Sequence, residues 1–243
     1  MTKSILITGA SSGIGHATAL EFLNAGWTVG LIARRADRLE HLADTYDNAV
    51  PLPADVTDET QVDAAFDAFV AQTGRLDAMF NNAGISGPQA TIDEVSLADF
   101  QQVVNVNLTG MFLAARAAFR HMRAQDPQGG RIINNGSISA HVPRPLMVCY
   151  TTTKHAITGM TRQLSLDGRP YNIACGQIDI GNAGTQMVQE MNDILIERGE
   201  KPNPVMDVNE AARAVLHMAD LPLETNVQFM TIMATQMPYI GRG

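Results

Sequence analysis

The sequence predicts an α/β domain in which a doubly wound, mostly parallel sheet carries helices on both faces. Short apolar stretches alternate with longer stretches of helical spacing from end to end, and no repeat, low-complexity tract or linker interrupts the 243 residues. Such alternation is typical of βαβ units, whose parallel strands are covered on both faces. One domain over residues 1–243 is therefore expected.

The strands follow from short apolar stretches, and the helices from apolar residues spaced three and four apart. Strands are predicted at residues 4–8, 27–33, 50–52, 76–80, 131–135, 172–180 and 227–233. Helices are predicted at residues 13–25, 37–46, 58–72, 96–123, 149–167 and 209–218. The least regular stretch, 185–207, contains Pro202 and Pro204 and is expected to form a substrate loop or lid at the carboxyl ends of the strands.

Composition disfavours several classes of function. A net charge of −8 gives no general help in binding a nucleic acid backbone, and no apolar stretch approaches the roughly 20 residues of a membrane helix. Cys149 and Cys175 show no metal-ligand spacing, so no metal site is predicted. Met1 leads into a strand-like segment without a secretory signal pattern, so we expect a cytoplasmic protein.

A glycine-rich loop joins the first predicted strand to the first helix. Glycines at positions 9, 13 and 15 permit a tight turn, close backbone approach to a pyrophosphate, and close packing of helix against strand. The helix N-terminus offers free N–H groups to phosphates. This setting favours a Rossmann-type dinucleotide site over a plain glycine turn. Its candidate residues are Gly9, Ser11, Ser12, Gly13, Ile14 and Gly15.

The second predicted strand ends in arginines where an NAD site places a carboxylate. Arg34 lies close to the usual offset of about 20 residues from the loop, and Arg35 follows it. A guanidinium binds the 2′-phosphate of NADP, whereas a carboxylate would repel it. We therefore expect NADP(H) to be preferred over NAD(H), with Arg34 at the phosphate, Ser11 assisting it and Arg35 against the adenine. Two solvated surface charges are the alternative.

The next two predicted strands also end in polar or small residues. Asp55 and Val56 are expected at the adenine, and Asn82, Ala83 and Gly84 at the adenosine ribose. Ordinary turn chemistry is the alternative for both groups, because Asp, Asn and Gly favour turns.

A candidate catalytic group follows in the second half of the chain. Tyr150 and Lys154 lie four residues apart, and so on one face of a predicted helix. Such a pair alone is common by chance. Two further residues support a functional role for the pair: Ser137 precedes Tyr150 by thirteen residues, and Asn107 lies in the preceding long helix.

These motifs together resemble the short-chain dehydrogenase/reductase family from Thr8 to about Met187. The resemblance implies a seven-stranded sheet and a catalytic tetrad of Asn107, Ser137, Tyr150 and Lys154. It implies that Ile180, Gly181 and Thr185 hold the nicotinamide carboxamide, with Ile180 standing where the family usually has proline. It also implies a homo-oligomer, a tetramer or a dimer, in which the helix around 107–123 and the helix bearing Tyr150 form a four-helix interface.

The expected chemistry is hydride transfer between nicotinamide and a carbonyl or secondary alcohol. Tyr150 would act as general acid–base with Lys154⁺ favouring its phenolate, Ser137 would bind the substrate oxygen, and Asn107 would help hold a water near Lys154. A non-catalytic NADP(H)-binding protein is the alternative from another class. The substrate stays open among acyl thioesters, sugars or polyols, and small ketones.

Four polar residues near this group have no assigned role. Arg144 is either an anchor for an anionic substrate or a solvated loop residue, and His141 lies in the same loop. Gln177 and Asp179 interrupt a predicted buried strand, where buried polar groups need partners.

Overall fold

A computed structural model describes residues 2–240, and within them seven strands form one sheet. The strands are β1 (Ser4–Thr8), β2 (Thr28–Ala33), β3 (Ala49–Pro53), β4 (Ala78–Asn81), β5 (Gly130–Asn135), β6 (Ile173–Gly181) and β7 (Phe229–Met233). Their order is β3-β2-β1-β4-β5-β6-β7, with every neighbouring pair parallel. The order reverses between β1 and β4, and ligand crevices form at such a switch point.

Helices cover both faces of the sheet. They are α1 (Gly13–Asn24), α2 (Ala36–Ala43), α3 (Glu59–Thr73), α4 (Leu97–Val104), α5 (Met111–Ala124), α6 (Val148–Gly168), α7 (Gln186–Glu197) and α8 (Val208–Asp220). One apolar core lies between the sheet and helices α1, α2 and α8. A second core lies on the opposite face, beneath α3, α5 and α6. The doubly wound α/β fold predicted from the alternating pattern is therefore confirmed.

The structure differs from the sequence prediction in two segments. The expected loop at 185–207 contains helix α7, which Thr185 caps by accepting a hydrogen bond from the Val188 amide. The predicted helix over 96–123 is interrupted by a π-helical turn at Asn105–Gly110, between α4 and α5. Such a turn inside an α-helix is frequent at functional sites. Of the predicted domain 1–243, Met1 and residues 241–243 lie outside the described residues.

None of the helices described between residues 2 and 240 is long and apolar enough to cross a membrane.

Candidate active site

The loop between β1 and α1 borders a cleft at the carboxyl ends of β1 and β4. Gly9 and Gly13 have φ angles of +70° and +56°, which glycine adopts without steric cost. A Cβ on Gly15 would lie 2.3 Å from the Gly9 carbonyl oxygen, so α1 packs closely against the loop. Within the described residues, the Ser12 side chain makes no capping hydrogen bond. The first N–H groups of α1 are thus available to a phosphate.

The cleft has a volume of about 740 Å³, within the usual range of ligand sites. Most residues predicted to bind a dinucleotide line it. They are Gly9, Ser11, Ser12, Gly13, Ile14, Arg34, Arg35, Asp55, Val56, Asn82, Ala83, Gly84, Tyr150, Lys154 and Thr185. Of the other three, Gly15 packs beneath the loop, Ile180 lines a neighbouring cavity, and Gly181 lines neither.

The two arginines after β2 lie at one end of this cleft and are both exposed. Arg35 donates hydrogen bonds to the Ser11 hydroxyl at 3.0 Å and 3.3 Å and to the Ser11 carbonyl at 3.3 Å. The structure therefore pairs Ser11 with Arg35, and the expected hydrogen bond from Ser11 to the 2′-phosphate stays a prediction. Burial is the main cause that lowers the pKa of His16, on α1, which disfavours the charged imidazole.

Asn82 joins three strands beneath the cleft. Its side-chain amide donates to the Thr8 carbonyl at 2.9 Å and accepts from Asn135 Nδ2 at 2.8 Å. The Thr8 hydroxyl accepts from the backbone amides of Asn82 and Ala83 at 2.8 Å and 3.0 Å. Through these contacts the Asn82 side chain holds the carboxyl ends of β1, β4 and β5 together. The residues that follow it, Ala83 and Gly84, line the cleft.

Helix α6 carries Tyr150 and Lys154 on the side that faces the cleft. The Lys154 side chain is 3% exposed and its ammonium donates to the Asn135 carbonyl at 2.7 Å. The same nitrogen lies 5.5 Å from the centroid of the Tyr150 ring. A buried cation is thus fixed beside the phenol. The role of Asn135 was missed, because nothing in the sequence marks a carbonyl at the end of β5 as a lysine partner.

Asn107 is fully buried in the π-helical turn. Its side chain accepts from the Ile85 amide and donates to the Ile85 carbonyl, both at 2.8 Å. Its second amide hydrogen points to the Thr153 hydroxyl at 3.3 Å, one residue before Lys154. Both amide hydrogens are therefore engaged, and the side chain can hold a water only through Oδ1.

Ser137 follows β5 and lines a second cavity, of about 370 Å³, which shares lining residues with the 740 Å³ cleft. Its hydroxyl oxygen accepts from the Ser139 amide at 3.1 Å, so the hydroxyl hydrogen can be donated elsewhere. Tyr150 lines both cavities. Three of the four predicted catalytic residues therefore border the two connected spaces, and Asn107 lies buried behind them.

Helix α7 forms one wall of the second cavity. Met187, Val188, Met191 and Ile194 line the cavity from this helix, and none of the residues in α7 is classed as buried. Thr185, at its N-terminus, lines both cavities. The helix thus supplies apolar side chains to the lining of the second cavity.

Among residues 2–240, no group of three or more His, Cys, Asp or Glu side chains is arranged to hold a metal ion.

The chain is similar in sequence to curated oxidoreductases. The sequence profile of the short chain dehydrogenase family matches residues 3–195. Glucose 1-dehydrogenase 2 of Bacillus subtilis (strain 168) is 36% identical over 189 residues, which cover 76% of this chain and 73% of that protein.

Solved structures with bound nicotinamide nucleotides share the fold. The 3-ketoacyl-(acyl-carrier-protein) reductase from Brucella melitensis complexed with NADH has a TM-score of 0.84 at 26% identity, with 95% of this chain and 96% of that chain covered. The structure of ElxO with NADP bound has a TM-score of 0.85 at 28% identity, with 96% and 98% covered. These findings confirm the resemblance: the chain belongs to the short-chain dehydrogenase/reductase family and is an NAD(P)-dependent oxidoreductase.

Proposed function

We propose that the chain transfers hydride between NADP(H) and a carbonyl or secondary alcohol, with Tyr150 as general acid–base. The observation that carries this proposal is the position of Tyr150 on the boundary between the 740 Å³ cleft and the 370 Å³ cavity. A group that exchanges a proton with substrate must reach the substrate beside the nicotinamide. Tyr150 is the tetrad residue that borders both spaces.

The residues of the cleft fit a dinucleotide. The loop between β1 and α1 has glycine at positions where a side chain would crowd its neighbours. A Cβ on Gly9 would lie 3.0 Å from Asn82 Nδ2, and one on Gly13 would lie 3.3 Å from Thr185 Cγ2. The open N–H groups of α1 suit the pyrophosphate. Thr185 is placed to hold the nicotinamide carboxamide, and a bound nicotinamide would supply or accept the hydride.

The side chains around the second cavity can move the proton and stabilise charge. The Tyr150 hydroxyl gives its proton to the substrate oxygen during reduction and takes it back during oxidation. The buried Lys154 ammonium favours the phenolate form, because an opposite charge nearby stabilises the ionised group. The Ser137 hydroxyl donates to the same substrate oxygen as charge develops on it. Asn107 supports a water near Lys154 through Oδ1.

NADP(H) preference is part of this proposal. Arg34 and Arg35 are both exposed at the end of the cleft where the adenosine would lie, and no carboxylate occupies the end of β2. Structures of similar proteins contain either NADH or NADP, so family membership alone does not choose between them. The two guanidinium groups are what support NADP(H).

Three further proposals follow from the same picture. Residues 185–207 act as the substrate lid, through helix α7. The chain forms a homo-oligomer through α5 and α6. It works in the cytoplasm, a reducing setting that suits the two buried free thiols of Cys149 and Cys175.

A substrate panel read by nicotinamide absorbance tests the proposal. The panel contains 3-oxoacyl thioesters, sugars and polyols, and small ketones with their alcohols, each with NADPH or NADP⁺. The names of the similar proteins, which include a glucose dehydrogenase and a 3-ketoacyl reductase, support the first two classes. Turnover of at least one member is expected. A chain that binds NADPH but turns over none of them would be the non-catalytic alternative.

A further inference from the structure

Asp179 is a fully buried carboxylate directly behind the catalytic serine. Its Oδ1 accepts a hydrogen bond from the Ser137 backbone amide at 2.8 Å and another from Gln177 Nε2 at 2.7 Å. Its Oδ2 lies 2.8 Å from His141 Nε2. Since a carboxylate only accepts, this imidazole nitrogen carries the hydrogen. Three donors, two from the loop after β5 and one from β6 itself, therefore surround one carboxylate.

Gln177 orients Asp179 from within β6. One amide hydrogen of Gln177 goes to Asp179 and the other to the Thr158 hydroxyl, at 3.1 Å. Its Oε1 accepts from the Thr161 hydroxyl at 3.0 Å. Both threonines lie on α6, the helix that carries Tyr150 and Lys154. The contacts thus connect the helix of the general acid–base to the backbone of the serine.

His141 closes the arrangement from the solvent side. Its side chain is 37% exposed, whereas the Asp179 side chain is 0% exposed. Burying a charged group is unfavourable unless it is paired and hydrogen-bonded, and His141 is the titratable partner that Asp179 has here. Without His141, Oδ2 would lose its contact, and the carboxylate would be held through Oδ1 alone, by Ser137 and Gln177.

We propose that Asp179 is a positioning residue for Ser137: it fixes the serine through its backbone amide, while Gln177 and His141 hold the carboxylate in place. This inference rests on the proposed function, in which the Ser137 hydroxyl binds the substrate oxygen. Ser137 has extended backbone angles, φ −173° and ψ 156°, and its hydroxyl oxygen is already bound by the Ser139 amide. The hydrogen bond from the Ser137 amide to Asp179 also fixes the backbone, which limits the directions in which the hydroxyl can point.

Two substitutions of Asp179 separate position from charge. Asp179→Asn keeps an oxygen for the amides of Ser137 and Gln177 and offers Nδ2 to His141, whose Nε2 can accept in the other neutral tautomer. Asp179→Ala removes all three contacts. We expect Asp179→Ala to lower kcat about 10- to 100-fold, because small misplacement of a catalytic group has effects of this size. Asp179→Asn should retain most of kcat, and the NADPH KM should change little in both.

A readout independent of turnover follows the Ser137 amide itself. Hydrogen–deuterium exchange in a peptide spanning residues 136–141 should be faster in Asp179→Ala than in wild type, and close to wild type in Asp179→Asn. Ser165→Ala is the matched control. It removes a hydroxyl of α6 that donates to Gln228, outside the contacts around Asp179, and should leave exchange in this peptide and kcat near wild type. If Asp179→Ala does not fold, two variants of His141 replace it. We expect His141→Ala to lower kcat and to speed exchange in this peptide, and His141→Gln, which can still donate to Asp179, to keep both near wild type.

The outcomes distinguish this inference from the proposed function. Wild type without turnover of any panel member contradicts the proposed function, and the exchange data then decide the link between Asp179 and Ser137. Wild type with turnover, but with Asp179→Ala and His141→Ala unchanged in kcat and exchange, overturns the inference alone. Equal loss of kcat in Asp179→Asn and Asp179→Ala also overturns it, since charge rather than position would then be what matters.

Discussion

The ammonium of Lys154 donates a 2.7 Å hydrogen bond to the backbone carbonyl of Asn135, the last residue of β5. Because β5 is a central strand, this bond fixes the cation relative to the sheet rather than only to its own helix. The Tyr150 ring is held 5.5 Å from the same nitrogen. The arrangement therefore places a fixed positive charge beside the proposed acid–base.

Tyr150→Phe removes the proton donor and keeps the ring. We expect kcat to fall at least about 10²-fold, the lower range for loss of a general acid–base, while NADPH still binds. Steady-state turnover of the best panel substrate and quenching of protein fluorescence by NADPH measure the two effects.

The control for this change is Tyr171→Phe, the same substitution at a tyrosine that packs against Phe119 away from both cavities. It should leave kcat near wild type. Near-normal kcat in Tyr150→Phe would show that another group donates the proton.

The two arginines after β2 should set the choice of dinucleotide. Loss of a charged hydrogen bond costs about 1.5–3 kcal/mol, or roughly ten- to two-hundred-fold in preference. We expect kcat/KM to favour NADPH over NADH by at least about tenfold. Arg34→Ala and Arg35→Ala should each lower this ratio through a higher NADPH KM, and Arg34→Asp should lower it further by repelling the phosphate.

Arg38→Ala provides the matched control for charge, because Arg38 is an exposed arginine of α2 that does not line the cleft. The ratio of kcat/KM with NADPH to kcat/KM with NADH should be the same in Arg38→Ala as in wild type. A wild-type preference for NADH, or the same ratio in all variants, would mean that Arg34 and Arg35 are surface charges.

The assembly prediction rests on the exposed residues of α5 and α6. The small residues of α5, Ala114, Ala115, Ala117 and Ala118, are buried within the chain and are not available to a partner. Phe112 on α5 and Leu166 on α6 are instead 51% and 53% exposed. Contiguous exposed apolar patches mark interfaces, and Phe112 and Leu166 are the large exposed apolar side chains that α5 and α6 could contribute to one.

We expect light scattering at micromolar concentration to give the mass of a dimer or tetramer, and Phe112→Glu to shift it toward smaller species. Ile92→Glu changes an exposed apolar residue outside both helices and should leave the mass unaltered. A stable wild-type monomer would contradict the proposed oligomer.

Gly15→Ala tests the close approach of α1 to the glycine loop. The added Cβ would lie 2.3 Å from the Gly9 carbonyl oxygen and 2.6 Å from Asn82 Nδ2. Overpacking of this kind costs about 1–3 kcal/mol of unfolding free energy. The shift of the loop should also weaken NADPH binding.

Urea unfolding and NADPH titration measure these two effects. Asn24→Ala, at the exposed end of the same helix, should stay within about 0.5 kcal/mol of wild type. Unchanged stability and NADPH affinity in Gly15→Ala would mean that the loop tolerates a side chain at this position.

Local patterns in the sequence were enough to predict the sheet and most helices, because most strands are short, mainly apolar stretches and the predicted helices have regular apolar spacing. Helix α7 was missed although Met187, Met191 and Ile194 have helical spacing. The prolines at 202 and 204 drew attention to irregularity, but they lie beyond the end of the helix at Glu197. Thr185 was assigned to the nicotinamide, so its capping bond to Val188 was not considered.

The contacts of the site depend on residues far apart in the chain. Asp179 meets the Ser137 amide and the His141 ring across 42 and 38 positions, and no spacing rule connects them. Which of Arg34 and Arg35 turns toward Ser11 depends on the backbone path beyond β2. Sequence therefore indicated which residue types the site contains, while their partners required the fold.

The packing of Asp179 against Gly136 limits the order in which mutations can build this site. A Cβ at position 136 would lie 2.0 Å from Asp179 Oδ1 and 2.6 Å from Gln177 Nε2. In a relative with alanine at this position, the carboxylate would have to move from the place it has here. A graft of Asp179 and His141 into such a relative should therefore include glycine at position 136, and we expect the three residues to occur together in related sequences.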